Sequence, residues 1–241
     1  MSYTVKCVVD QVSDLGECPV WSVREQVLYW ADILAGQLHR LDPQTGGVTS
    51  LTLGEHLGCF GLRRQGGFIV ALRTGIYLLG EDGTLGRKLA DNPCGPADSR
   101  FNDGRVDPWG RFWAGTIWQP RDRNGAVLMR IDEHMNAQVM AHDVMVSNGL
   151  AFSPDRAWMY HSDTPNHVLY RYPLDGQGQP GPRQTVRTFE RGPGGRPDGA
   201  AFDSEGCYWS AQFDGGRILR LAPDGTQLDE IRVPTRWPTM V

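Results

Sequence analysis

The sequence predicts an all-β fold of the β-propeller type, and three observations carry this prediction. Apolar residues hardly ever recur at helical spacing, whereas short apolar runs alternate with turns along the chain. The 30 glycines and 16 prolines among 241 residues indicate many turns and short strands. The apolar runs recur about every 40 to 50 residues, which is the length of a propeller blade built as a four-stranded sheet.

Five apolar anchor runs mark this repeat. They are centred on Trp30, Ile69, Trp113, Tyr160 and Trp209. A sixth anchor would fall beyond the last residue, so two interpretations stay open: five blades, or a ring whose last blade is missing. A closed ring would pair a strand around residues 5–9 with the final blade, because an unclosed ring exposes sheet edges. A β-sandwich with coincidental spacing is the alternative fold.

Four polar residues share one position relative to the turn after the first strand of a blade. These turns begin at Ser22, Asp107, Ser153 and Asp203. The residues five positions before them are Glu17, Asn102, Asn148 and Asp198. Because the innermost strand of every blade runs beside the central channel, we expect these side chains to converge there from different blades.

Two of these four residues are carboxylates, and buried carboxylates are costly without a positive partner. We therefore expect a cation between Glu17 and Asp198. Together with the amide oxygen of Asn148 they make a hard oxygen site, which favours Ca²⁺, Mg²⁺ or Mn²⁺ and allows Zn²⁺. The alternative is that the Asn-Gly and Asp-Gly pairs only form local Asx turns.

The composition argues against several classes of function. A formal net charge of −4 without a Lys/Arg-rich run argues against a nucleic-acid partner, so we expect a small-molecule ligand. No stretch approaches 18 consecutive apolar residues and the first residues lack an apolar signal segment, so we expect no membrane partner and no secretion. Five scattered cysteines indicate reduced thiols in a cytoplasmic protein. The absence of a GxSxG motif argues against a serine hydrolase.

Four segments together resemble the senescence marker protein, gluconolactonase and regucalcin family. They read LGECPVW, RFNDGRVDPWGRFWAGT, SNGLAFSPD and PDGAAFDSEGCYW. The resemblance implies a six-bladed β-propeller, here a single domain over residues 1–241 with a truncated last blade, that hydrolyses aldonolactones with one divalent cation. The metal ligands that it implies are Glu17, Asn148 and Asp198. The substrate contacts that it implies are Arg100, Asn102 and Gln119, the last an amide where the family has an acidic residue.

The predicted reaction is hydrolysis of a sugar lactone to the aldonic acid. A cation at the lactone carbonyl would stabilise the negative charge that forms on its oxygen and lower the pKa of bound water. Asp198 is the expected general base, because a carboxylate that touches both metal and water can accept a proton during attack. Arg100 lies two residues before Asn102, so on a strand both side chains would face the channel.

We expect the protein to act as a monomer. Two other functions fit the same motifs. One is a non-enzymatic propeller that binds calcium or a protein partner, and the other is a metal-dependent aryl-ester or organophosphate hydrolase.

Overall fold

The structure is a computed structural model that describes residues 3–241, and its regular elements are β-strands. Within that range, twenty strands form five antiparallel four-stranded sheets in which strands adjacent along the chain are paired. The sheets belong to two compact units, one of residues 14–147 and one of residues 3–13 with 148–241. No helix in the described part of the chain is long and apolar enough to cross a bilayer.

The first unit contains three sheets. The first consists of β1 (Gly16–Ser22), β2 (Val27–Asp32), β3 (Gln37–Leu41) and β4 (Val48–Thr52). The second consists of β5 (Leu57–Leu62), β6 (Phe68–Leu72), β7 (Gly75–Leu79) and β8 (Leu85–Asp91). The third consists of β9 (Ser99–Val106), β10 (Phe112–Trp118), β11 (Ala126–Ile131) and β12 (Ala137–Val144). Between the first two sheets, the ring of Phe68 meets Tyr29 edge-on, with centroids 5.2 Å apart.

The second unit contains the fourth and fifth sheets. Ser147, the first residue of β13, belongs to the first unit. The fourth sheet consists of β13 (Ser147–Phe152), β14 (Trp158–Asp163), β15 (Val168–Pro173) and β16 (Gln184–Thr188). The fifth consists of β17 (Arg196–Phe202), β18 (Tyr208–Phe213), β19 (Arg217–Leu221) and β20 (Gln227–Arg232). The buried ring of Tyr160 stacks on Tyr208 at 5.2 Å and meets Phe202 edge-on at 5.0 Å, which joins the two sheets.

The expectation of six blades with a truncated last one is wrong for this chain, because residues 3–241 form five sheets of four strands each. Every anchor of the sequence repeat lies in the second strand of one sheet. These anchors are Trp30 in β2, Ile69 in β6, Trp113 in β10, Tyr160 in β14 and Trp209 in β18. The repeat had left open five blades or a ring whose last blade is missing, and the family resemblance had implied six; residues 3–241 contain five sheets.

The expected strand around residues 5–9 is also wrong. These residues form no strand. In a strand packed on a sheet, Val5 and Val8 would point to opposite faces and one of them would be buried, but they are 45% and 75% exposed. The N-terminal segment contacts the fifth sheet through a side chain instead. The Tyr3 hydroxyl donates a 2.7 Å hydrogen bond to Asp229, and its ring meets Trp209 edge-on at 6.0 Å.

All five cysteines are free thiols, as the sequence predicts. Cys18, Cys59 and Cys207 are buried, and burial raises the pKa of the Cys18 thiol to about 12. At neutral pH this thiol is therefore protonated and unsuited to act as a nucleophile.

Candidate functional site

The four polar residues of the shared register lie near the start of the first strand of their sheets. Glu17 lies in β1, Asn102 in β9, Asn148 in β13 and Asp198 in β17. Their side chains are buried, with exposed fractions between 3% for Asn148 and 7% for Glu17. Buried polar side chains need hydrogen-bonding or charged partners. Four of them at one repeated position therefore make this position the candidate functional site.

The pairing between first and second strands is irregular at this position. In β1 the register shifts between Glu17 and Val20, and in β17 it shifts between Pro197 and Ala200. The third sheet shows the same irregularity opposite residues 114–116. A bulge of this kind turns a side chain away from the regular alternation and is common beside active sites. Sequence inspection missed these bulges, although the glycines that follow three of the four residues were a signal for them.

Backbone conformations at two of these positions are unusual. Cys18, which follows Glu17, has a φ of 53°, and Gly149, which follows Asn148, has a φ of 57°. Such left-handed conformations are uncommon for residues with a side chain and are concentrated at functional sites. At Gly149 a Cβ atom would also lie 2.4 Å from the Tyr208 hydroxyl, which donates a 2.6 Å hydrogen bond to the Gly149 carbonyl.

The second sheet carries a glycine at the same register position, which explains why the sequence shows no fifth polar residue. Gly58 lies five residues before Arg63, which begins the turn after β5. A Cβ atom on Gly58 would lie 2.4 Å from the carbonyl carbon of Phe101 and 2.8 Å from the amide nitrogen of Asn102. The missing side chain therefore makes room for the backbone of β9 at Asn102.

Asn148 and Asp198 lie together in the second unit. The Asn148 side-chain amide donates a short hydrogen bond to Asp198 Oδ1 and a 3.0 Å hydrogen bond to Thr164 Oγ1. Thr164 in turn donates a 2.8 Å hydrogen bond to the Pro197 carbonyl. Thr164 thus fixes both the amide and the strand that carries Asp198, and sequence inspection gave no signal for it.

The oxygen of the Asn148 side chain is the feature that fits a cation. It is buried, and no donor among residues 3–241 hydrogen-bonds to it. Since both amide protons point to Thr164 and Asp198, the Oδ1 atom is left to accept a positive partner next to a carboxylate. Amide and carboxylate oxygens are ligands of hard divalent cations, so these residues fit the predicted metal.

Within residues 3–241, no group of three or more His, Cys, Asp or Glu side chains could hold a metal ion. A cation would therefore depend on the amide oxygen of Asn148 as well as on carboxylates. The membership of Glu17 in this ligand set stays a prediction.

Arg100 and Asn102 are brought together in the first unit, as their spacing predicts. The Arg100 guanidinium donates a 2.8 Å hydrogen bond to Asn102 Oδ1 and a 2.9 Å bond to the Phe101 carbonyl. The Asn102 amide donates a 3.2 Å hydrogen bond to the Ser147 carbonyl. Both the oxygen and the nitrogen of the Asn102 side chain are thus hydrogen-bonded within the protein. Asn148 differs, because its side-chain oxygen accepts no hydrogen bond from residues 3–241.

Gln119 lies at the surface just after β10, and its partner is a residue that sequence inspection missed. Arg73, directly after β6, donates a 3.1 Å hydrogen bond to Gln119 Oε1. The Arg73 guanidinium also donates to the carbonyl of Pro96 at 2.8 Å and lies 3.5 Å from His56 Nδ1. Burial, and then the charges of Arg73 and Arg100, lower the pKa of His56, so this imidazole is neutral at pH 7.

Comparisons with known proteins place the chain in a family. The model of the SMP-30/gluconolactonase/LRE-like region matches residues 15–241. A 6-deoxy-6-sulfogluconolactonase of Pseudomonas putida is 78% identical over 100% of this chain and 83% of its own length. A pentonolactonase of Haloferax volcanii is 34% identical over 99% of this chain and 80% of its own length.

A crystal structure of regucalcin from Agrobacterium tumefaciens, described as a calcium-binding protein, superimposes with a TM-score of 0.90. It is 26% identical, and the match covers 97% of this chain and 79% of that one. The resemblance seen in the four sequence segments is thereby confirmed. The chain belongs to the SMP-30/gluconolactonase/LRE-like family.

Proposed function

We propose that this chain hydrolyses 6-deoxy-6-sulfogluconolactone to the aldonic acid with one divalent cation. The chain is a sugar lactonase of its family, and the sulfonated substrate follows from the 78% identical relative that carries that name. The observation that supports the cation is the buried Asn148 oxygen, which has no donor in residues 3–241 and lies beside Asp198.

The cation would be held by Asn148, Asp198 and Glu17, and we propose Ca²⁺, Mg²⁺, Mn²⁺ or Zn²⁺ because the donors are oxygens. When bound, it supplies positive charge for the oxygen of the lactone carbonyl. The support from the protein is the rigid placement of the ligands. Thr164 holds the Asn148 amide at 3.0 Å, so its oxygen needs no rearrangement before it binds the ion.

Hydrolysis adds a water oxygen to the lactone carbonyl carbon and breaks the bond between that carbon and the ring oxygen. Asp198 is proposed to take the proton of the attacking water and to return it to the ring oxygen, which leaves as a hydroxyl of the aldonic acid. Arg100 and Asn102 are proposed to bind the substrate hydroxyls. Their mutual hydrogen bond of 2.8 Å fixes both side chains before substrate arrives.

We also propose that residues 1–241 work as one domain, as a monomer in the cytoplasm, without a nucleic-acid or membrane partner. Five free thiols support the cytoplasm, since secreted proteins usually oxidise theirs. The net charge of −4 supports a small-molecule ligand rather than nucleic acid.

Acid release from 6-deoxy-6-sulfogluconolactone, measured before and after treatment with a chelator, tests the proposed function. We expect chelation to lower turnover at least about 100-fold, because charge stabilisation by a metal contributes several kcal/mol to the barrier. Adding back Ca²⁺, Mn²⁺, Mg²⁺ or Zn²⁺ separately should restore it and identify the effective ion.

Gluconolactone and phenyl acetate are the comparison esters in this assay. Turnover of phenyl acetate alone would contradict a sugar lactonase and favour an aryl esterase. Turnover that is insensitive to chelation would contradict the cation.

A further inference from the structure

Side chains of the first unit form a donor-rich cluster at one end of the second and third sheets. The cluster consists of His56 before β5, Arg73 after β6, Arg100 in β9 and Gln119 after β10. The Arg73 amide donates a 3.0 Å hydrogen bond to the His56 carbonyl, and the Arg73 guanidinium donates a 3.1 Å hydrogen bond to Gln119 Oε1. Arg100 is close enough for its charge to lower the pKa of His56. We refer to these four residues as the Arg73 cluster.

The charge of Arg73 is not neutralised by an acidic side chain. Its hydrogen-bond acceptors are the carbonyls of Pro96 and Ala97 and the amide oxygen of Gln119. Within residues 3–241, no carboxylate oxygen lies at ion-pair distance from its guanidinium.

Glu55 precedes His56 in the chain, and its charge raises the pKa of that imidazole, against the larger lowering effects. Its two oxygens accept hydrogen bonds from the amide and the hydroxyl of Thr74, at 2.8 and 2.9 Å. The Glu55 carboxylate is thus directed to Thr74. The Arg73 cluster carries two guanidinium charges, a neutral imidazole and a neutral amide.

This arrangement is suited to an anionic group on the substrate. Arg100 and Gln119 are two of the three substrate contacts that the family resemblance implies, and Arg73 is hydrogen-bonded to Gln119. A sulfonate is anionic at every physiological pH and offers three acceptor oxygens, which match the planar donor set of a guanidinium. A glutamate at position 119 would pair with Arg73 and repel such a group, whereas the amide keeps the arginine charge available.

We propose that Arg73 binds the sulfonate of the substrate and that the neutral Gln119 makes this binding possible. The proposal rests on the proposed lactonase function and adds the residues that select an anionic over a neutral sugar lactone. Arg73 is a specificity-determining residue, because the sulfonate on carbon 6 takes no part in the bond that breaks between the carbonyl carbon and the ring oxygen.

The test compares kcat/KM for 6-deoxy-6-sulfogluconolactone with kcat/KM for gluconolactone. We expect Arg73→Ala to lower the ratio of the two values about 10- to 100-fold, the loss that follows removal of a charged hydrogen-bond partner. Gln119→Glu should lower the same ratio at least about 10-fold. This second variant keeps the contacts of Arg73 with Pro96 and Ala97, so it tests the proposal even if Arg73→Ala disturbs the fold.

Arg63→Ala is the matched control, since Arg63 follows the other end of β5 and also donates to a glutamine, Gln65, at 3.4 Å. It should leave the ratio unchanged. A ratio that stays constant in both Arg73→Ala and Gln119→Glu would overturn the proposal. Wild-type protein that hydrolyses neither lactone would instead overturn the proposed function itself, so the two failures are distinct.

Discussion

Asp198→Asn should lower kcat/KM for the sulfonated lactone at least about 1,000-fold. The substitution keeps the shape of the side chain but removes its charge, and with it a metal ligand and the proposed base. In wild type the Asn148 amide donates to the Asp198 carboxylate, whereas in the variant it would face a second amide instead of a charged acceptor. Steady-state kinetics at saturating cation, with circular dichroism to verify the fold, measure the effect.

Asp175→Asn is the matched control for this substitution. Asp175 lies in the same unit and accepts hydrogen bonds from the amides of Gln177 and Gln179 in an exposed turn after β15. Since it has no place in the proposed chemistry, its substitution should change kcat/KM less than about twofold. Equal losses in the two variants would refute the role of Asp198.

Asp107→Ala should lower the free energy of unfolding by about 3–5 kcal/mol. The buried Asp107 carboxylate accepts hydrogen bonds from the Arg111 side chain at 2.6 Å and the Trp113 indole at 2.8 Å. It also accepts the amides of Trp109 and Arg111, both at 2.9 Å. Removing it leaves a buried guanidinium without its carboxylate, which is the costly way to break a buried ion pair. Denaturant unfolding followed by tryptophan fluorescence measures the loss.

Asp132→Ala serves as the comparison, because Asp132 accepts the amides of His134 and Asn136 in the same kind of turn within the same sheet. The hydrogen bonds that Asp132 accepts come from backbone amides and from the Asn136 side chain at 3.1 Å, in an exposed turn. Asp132→Ala should lower the free energy of unfolding by about 1 kcal/mol. If both substitutions cost the same, the stability of the third sheet does not depend on the buried ion pair.

Local sequence patterns were sufficient to predict the sheets. The five aromatic and aliphatic anchors all lie in second strands, and counting back from Ser22, Asp107, Ser153 and Asp203 leads to first strands. Both patterns depend on residues close in sequence, where strand alternation and turn chemistry act. The sixth blade and the strand around residues 5–9 were wrong, because neither had an anchor or a turn of its own in this sequence.

The parts of the site that sequence inspection missed depend on contacts between distant segments. Thr164 and Arg73 follow the ends of other strands, β14 and β6, and contact Asn148 and Gln119 from there; no local pattern marks them. Gly58 carries no polar side chain that would draw attention in the sequence. Counting back five residues from the turn after β5 does, however, lead to it. The bulges require knowledge of strand pairing, which a single sequence does not contain.

The central claim is that the Asn148 amide oxygen and Asp198 hold one cation. The most direct measurement is the number of cations bound per chain, determined by equilibrium dialysis and elemental analysis on wild type, Asn148→Ala and Asn102→Ala. The account predicts one cation per chain in wild type and in Asn102→Ala, whose amide is already engaged by Arg100 and Ser147, and none in Asn148→Ala. A wild type that hydrolyses the lactone without a bound cation, or an Asn148→Ala variant that keeps it, would contradict the account.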